Sequence, residues 1–126
     1  MSHFTHIQTS FQNLFYLEKA LKKLNIDYTQ RIQTEVELRF VNLIISQLNG
    51  SDIKFCWNGQ EYELVIDISF WEQPYTIENF IDKVAQQYAS EVIIGESQKI
   101  GFQPVRYQQN LDGSNTLVLE RWSTRD

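Results

Sequence analysis

Along this chain, the spacing of apolar residues changes between that of a helix and that of a strand. Leucines recur at spacings of three and four residues near its start, at Leu14, Leu17, Leu21 and Leu24. This spacing places them on one face of a helix, which Asn13 or Ser10 can cap at its start and Asn25 can end. The β-favouring residues between Ser2 and Thr9 predict a strand before the helix. The chain therefore opens with a strand and a helix that covers it.

Alternating apolar and polar residues then predict several strands. From Tyr28 to Phe40 the apolar residues share one parity, which is typical of a single half-buried strand. The segment from Val41 to Leu48 has mixed parity, so it either continues that strand past a bulge or forms a short helical turn. Two further alternating segments, 53–57 and 62–70, surround Asn58-Gly59. They predict a hairpin whose two central residues take positive φ, with Trp57 and Gln60 flanking the turn.

A second helix is predicted after Pro74. Thr76 is its expected N-cap, Tyr75 and Phe80 are spaced as a hydrophobic staple, and the helix should stop between Gly95 and Gly101. Two more strands, 102–109 and 115–122, follow around a second hairpin signal at 112–113.

This element order predicts the fold class. Two helices and a set of strands, each with a single apolar face, are arranged most simply as a two-layer α+β sandwich. We expect an antiparallel, possibly mixed, sheet with both helices on one face, in a ferredoxin-like or related topology. The 126 residues are the usual length of one domain, so we expect a single domain over 1–126 with a flexible tail at 123–126.

Composition narrows the classes of function. The net charge of −5 disfavours a nucleic-acid binder, which needs a basic surface to displace the counterions of the phosphates. The single cysteine, Cys56, gives no reason to expect an oxidising compartment. The chain shows neither a leader-like opening nor an apolar run of membrane-spanning length, so we expect no membrane insertion.

The expected open face of the sheet is the candidate interaction surface. If the even-numbered apolar residues face the helices, that face is polar and carries Arg31, Gln33, Glu35, Glu37, Arg39, Glu61, Glu63, Val65, Asp67 and Ser69. Its acidic character suggests docking of a basic protein, or an edge that accepts another strand. The alternative is a solvated polar face with no partner.

Tryptophans can anchor partners at the ends of strands, so Trp57 and Trp71 join this candidate surface. Packing in the core or at the sheet edge is the alternative for both. Trp71 follows Phe70 and should therefore project away from the side that Phe70 covers.

Residues with catalytic or metal-binding chemistry are few. His3 and His6 would point to opposite faces of a strand, roughly 10 Å apart, so a shared metal ion is not expected. One of the two is expected on the surface and the other partly buried. Cys56 has Lys54 nearby to favour its thiolate, but no local base completes a nucleophile motif. We expect no catalytic residue, no metal and no cofactor.

Three segments of the chain are distinctive: the opening Met-Ser-His-Phe through Thr9, residues 17–21, and the closing Gly101-Phe102 with 112–114 and Arg121-Trp122. In them the chain resembles the hypothetical chloroplast reading-frame (Ycf-type) family of red-algal plastids and cyanobacteria, a domain of unknown function. The resemblance carries over no catalytic residue. It implies a location in the plastid stroma, or in the cytoplasm if the source is a cyanobacterium.

Three hypotheses of function follow. The first is a small non-catalytic interaction or accessory protein with a protein partner, favoured by the absence of any chemical constellation. The second is an enzyme or enzyme accessory whose cleft is visible only in three dimensions. The third is an RNA-binding module, which the acidic charge disfavours. The sequence assigns neither the process, nor the partner, nor the oligomeric state.

Overall fold

A five-stranded antiparallel sheet forms one layer of the computed structural model, which describes residues 3–35, 38–111 and 115–121. Its strands are β1 (Phe4–Ile7), β2 (Thr29–Glu35), β3 (Leu38–Ile45), β4 (Ile53–Trp57) and β5 (Tyr62–Asp67). Their order across the sheet is β1-β5-β4-β3-β2. Strands β2 to β5 thus form a meander, and β1 pairs with β5 at the opposite edge. As a result β1 and β2, which are neighbours in the chain, lie at opposite edges of the sheet.

The two helices form the second layer. Helix α1 spans Leu14–Lys23 and helix α2 spans Ile77–Lys99, and the two contact each other. Their buried residues share one core with the strands; its most buried members are Leu17, Leu21, Leu43, Ile53, Phe55, Leu64, Ile66, Phe80 and Val84. The predicted α+β sandwich with both helices on one face is confirmed.

Local side-chain chemistry sets the helix ends as predicted. The Asn13 side chain accepts a hydrogen bond from the Tyr16 backbone at 3.3 Å, and Asn25 takes a positive φ of 59° just after α1. Thr76 caps α2 by accepting from the Asn79 backbone at 3.1 Å. These caps supply partners for backbone groups that the helix itself leaves unsatisfied.

The prediction of a single strand from Tyr28 to Phe40 is wrong. The chain reverses between Glu35 and Leu38, and β2 pairs with β3 in a continuous antiparallel register from Thr29 opposite Ile44 to Glu35 opposite Leu38. The segment after Val41 continues β3 as a strand to Ile45. We call this two-stranded hairpin, residues 29–45, the ribbon.

The turn between β4 and β5 is longer than predicted. Trp57 pairs with Tyr62, so the loop holds four residues. Among the described residues of this loop, Gly59 alone has positive φ, at 103°. Asn58 keeps a negative φ because its side chain accepts from the Gln60 and Glu61 backbones, at 2.8 and 2.9 Å.

Strand β5 ends earlier than predicted. Residues Ile68–Phe70 form a 3₁₀ turn, capped by the Asp67 side chain through the Ser69 backbone at 3.1 Å. Ile68 and Phe70 are consequently exposed. Strand β1 is likewise shorter than the predicted 2–9 segment.

The predicted C-terminal hairpin is confirmed. Strands β6 (Phe102–Gln109) and β7 (Asn115–Arg121) pair in a separate two-stranded sheet that contacts α2. The turn signal at 112–113, Trp122 and the 123–126 tail lie outside the described residues.

Candidate interaction site

The ribbon separates from the rest of the sheet near its middle. Strand β3 pairs with β4 only from Leu43 to Ile45. A regular ladder would next place Val41 opposite Trp57, but the Trp57 backbone N–H donates instead to the Asn42 side chain at 3.1 Å. Asn42 is buried, and its amide also donates to the Gln33 side chain at 3.0 Å. A buried side-chain amide thus takes the place of a backbone partner where β3 leaves β4.

A cavity of about 290 Å³ opens at this separation, on the side of the sheet that carries the helices. We call it the ribbon groove; it is lined by Gln12, Leu14, Arg39, Phe40, Val41, Trp57 and Tyr62. The rings of Trp57 and Tyr62 lie 5.1 Å apart, and both contribute to the apolar lining. Arg39 is exposed, and no carboxylate pairs with it within the described ranges. The groove therefore combines an aromatic floor with one available guanidinium.

Exposed apolar residues also occur elsewhere on the ribbon. Ile32 in β2 is 55% exposed and Leu38 in β3 is 60% exposed. Strand β2 also forms an edge of the five-stranded sheet. The ribbon consequently offers a groove, two apolar side chains and a free strand edge.

The reversal of the chain between β2 and β3 separates two arginines that were predicted to share a face. Arg31 lies opposite the buried Asn42, on the face away from the helices, whereas Arg39 lies opposite Thr34 on the helix side. Of the two neighbouring acidic residues in the prediction, Glu35 lies at the end of β2 and Glu37 is outside the described residues. The ten predicted positions therefore do not form one polar face.

The face away from the helices is also less solvated than predicted. Ile44, Val65 and Asp67 on this face are all buried. Asp67 is only 5% exposed, and its side chain caps the 3₁₀ turn, so it is not an accessible docking charge.

Trp71 packs into the fold. Its indole N–H donates to the Tyr75 carbonyl at 2.8 Å, and its ring lies 5.4 Å from the Phe80 ring. Trp71 therefore packs against the core, which is the alternative to its role as a partner anchor. Trp57 is thus the tryptophan of the predicted pair that lines the groove.

Glu63 forms a small polar cluster on the face away from the helices. Its carboxylate accepts from the Asn58 side chain and pairs with His6 Nδ1, each at 3.1 Å. The hydrogen bond from Asn58 and then that from His6 hold the pKa of Glu63 below its usual value. His6 is hydrogen-bonded but mostly exposed, and His3 is exposed too, so the expected partly buried histidine is not found.

Cys56 lies opposite Glu63 in the β4–β5 ladder. Burial raises the pKa of the Cys56 thiol, more than Lys54 lowers it. His6 is on β1, and β5 lies between β1 and β4, which separates the two backbones by about 10 Å. A carboxylate rather than an imidazole thus neighbours the thiol, which is not the arrangement of an activated nucleophile.

Neither metal ligands nor membrane spans were found in the described part of the chain. Over residues 3–35, 38–111 and 115–121, His, Cys, Asp and Glu side chains form no group of three or more that could hold a metal ion. Over the same residues, no helix has both the length and the apolar character needed to cross a membrane.

Sequence reasoning missed the central residue of this site. Asn42 interrupts the apolar segment from Val41 to Ile45, and a buried amide within such a segment is a signal that it satisfies a specific backbone group. Leu14 and Tyr62 pack against or within the core and also line the groove.

These features define a small α+β protein with a projecting ribbon and no assembled catalytic site among its described residues. Residues 20–118 match the family described as protein of unknown function (DUF1257), so the chain belongs to that family, as the resemblance suggested. It is 63% identical over 121 residues to the uncharacterized protein ycf35 of Trieres chinensis, covering 92% of this chain and 94% of the relative.

Two further relatives carry the same name. The uncharacterized protein ycf35 of Cyanophora paradoxa is 40% identical over 126 residues, covering 97% and 98% of the two chains. That of Pyropia yezoensis is 41% identical over 127 residues, covering 98% and 99%. The relatives associate the chain with the plastids of algae. No solved structure matches it.

Proposed function

We propose that this protein is a non-catalytic interaction module of the plastid stroma that binds a protein partner through the ribbon groove. The observation that carries the proposal is the groove itself, with its aromatic floor and the guanidinium of Arg39. The stroma suits a chain whose single cysteine requires no oxidising compartment.

The groove fits an apolar side chain better than a polar ligand. Trp57, backed by the buried ring of Tyr62, offers rigid aromatic surface, and tryptophan is among the residues that contribute most to the binding energy of protein interfaces. Burying an apolar side chain against the indole would remove both surfaces from water.

Arg39 adds selectivity to this apolar contact. A guanidinium binds a carboxylate through paired hydrogen bonds, so the favoured partner segment carries an acidic residue next to the apolar one. The net charge of −5 favours a basic partner for the protein as a whole, whereas the groove is locally positive.

Photo-cross-linking in plastid extract tests this function. A cross-linking amino acid at Gln12, an exposed position that lines the groove, is expected to capture a defined partner, whereas the same amino acid at Leu48, a fully exposed loop position, is not. Arg39→Glu should abolish capture by reversing the charge at the groove. Arg31→Glu is the matched control, because it makes the same change in the same ribbon on the opposite face.

Two results would reject the proposal. One is equal capture from positions 12 and 48, which would show that the groove is not selective. The other is equal loss of capture in Arg39→Glu and Arg31→Glu, since the groove would then have no special role.

A further inference from the structure

Strand β2 is a weakly protected sheet edge. Its seven residues, Thr29–Glu35, contain no lysine or proline, and its register with β3 shows no bulge. These are devices that proteins use to stop an edge from pairing with another strand, and the charges of Arg31 and Glu35 are the device that β2 does carry. The opposite edge, β1, is only four residues long. Of the two edges of the five-stranded sheet, β2 is therefore the one suited to accept a strand.

Open space lies beside this edge. A groove of about 530 Å³ runs between α1 and the start of β2, bordered by Glu18, Lys22, Tyr28 and Gln30. The Gln30 side chain donates to Glu18 across it, and neither helix closes it. An added strand would thus meet solvent rather than α1.

We propose that the occupant of this edge is the β2 strand of a second copy, paired antiparallel about a two-fold axis through Ile32. Ile32 is the midpoint of β2, so this register pairs all seven residues: 29 with 35, 30 with 34, 31 with 33, and Ile32 with its own copy. No other symmetric register overlaps the full strand.

The side chains of β2 suit this self-pairing. Ile32, 55% exposed in one chain, meets the same residue of the other chain, and cross-strand apolar pairs stabilise a sheet. Arg31 lies opposite Gln33 in this register, and no two like charges are directly opposed. Two five-stranded sheets join in this way into one sheet of ten strands.

This pairing is independent of the function proposed above. The ribbon groove lies along β3, whereas the second copy uses the outer edge of β2, so both sites are usable at once. Arg39→Glu should leave dimerisation unchanged, and failure of either proposal can be recognised without the other.

Sedimentation of the full chain tests the proposal. As concentration rises, the wild type should shift from the 14.9 kDa of one chain toward twice that mass. Ile32→Lys should remain monomeric, because two ammonium groups would meet at the axis. Ile68→Lys is the control, since Ile68 is also 55% exposed but lies outside β2, and circular dichroism checks that both variants are folded.

Disulfide trapping tests the register. In a Cys56→Ser background, single cysteines are placed in turn at positions 30 to 34 and oxidised with glutathione disulfide. Ile32→Cys should form the covalent dimer fastest. Opposed residues of an antiparallel pair have the Cα spacing that a disulfide requires. A wild type that stays monomeric, an equal loss in Ile68→Lys, or a trapping maximum away from position 32 would each overturn the proposal.

Discussion

Gly95 allows α1 and α2 to approach each other closely. A Cβ atom at this position would lie 2.4 Å from the Oη and 2.5 Å from the Cε1 of Tyr16. The Tyr16 side chain cannot easily move away, because it is buried and its hydroxyl donates to Glu96 at 3.0 Å. We therefore expect Gly95→Ala to be destabilising, although alanine is normally the better helix residue.

The size of the effect follows from two opposing contributions. Overpacking a well-packed site costs about 1–3 kcal/mol. Replacing glycine by alanine inside a helix recovers about 0.5–1 kcal/mol. The expected net loss for Gly95→Ala is about 1–2 kcal/mol in the free energy of unfolding.

The same substitution in a Tyr16→Leu background separates the two contributions. Leucine ends at Cδ and has no atoms where Cε1 and Oη of Tyr16 lie, so the steric cost disappears. Gly95→Ala should then stabilise the protein by about 0.5–1 kcal/mol, which reverses the sign of its effect.

Urea unfolding followed by circular dichroism measures all four proteins of this cycle, with the slope checked for two-state behaviour. The reasoning is refuted if Gly95→Ala stabilises the wild type, or if its effect has the same sign and size in both backgrounds. Either result would mean that Tyr16 moves aside at little cost.

Three further predictions concern polar groups. Asn42→Ala should lower the free energy of unfolding by about 1–3 kcal/mol, because the Trp57 backbone N–H loses its acceptor. Unchanged stability would contradict this, and would show that β3 closes onto β4 and supplies another acceptor. Tyr88→Phe should cost about 1–2 kcal/mol, since its hydroxyl accepts from two backbone N–H groups just before α1, and faster hydrogen exchange there would locate the loss. The lowered pKa of Glu63 stabilises the folded protein at pH values above the usual glutamate pKa of 4.5. This stabilisation is lost as the pH falls through the lowered pKa of the folded state. Glu63→Gln should remove it. Urea titrations at neutral and acidic pH test this sign; a difference from wild type that grows on acidification would contradict it.

Local signals in the sequence predicted the helices well. Asn13 and Thr76 cap their helices through their own side chains, and Asn25 takes the positive φ that ends α1. Such interactions involve residues only a few positions apart, so a single sequence contains them. The apolar stripes of both helices likewise identified the core.

The β2–β3 hairpin could not be predicted in this way. Positions 36–37 hold no glycine, proline or asparagine, and the alternation of apolar residues continues across them. Reversal of the chain at this point moves even-numbered residues to the other face. Ile32 therefore lies on the helix side, whereas Leu38 lies on the opposite face, and both are exposed.

This change of face also produced the candidate site. In a straight strand Arg39 would share the face of Arg31, but the turn places it on the helix side, beside the aromatic pair of the groove. The groove stays open because Asn42, rather than the β3 backbone, accepts the Trp57 N–H. A regular ladder would serve folding of the core as well as the buried amide of Asn42 does. Polar edge residues would serve it as well as an exposed Ile32 in the edge strand. The contacts proposed for the ribbon would give these residues a physical reason that the isolated chain does not.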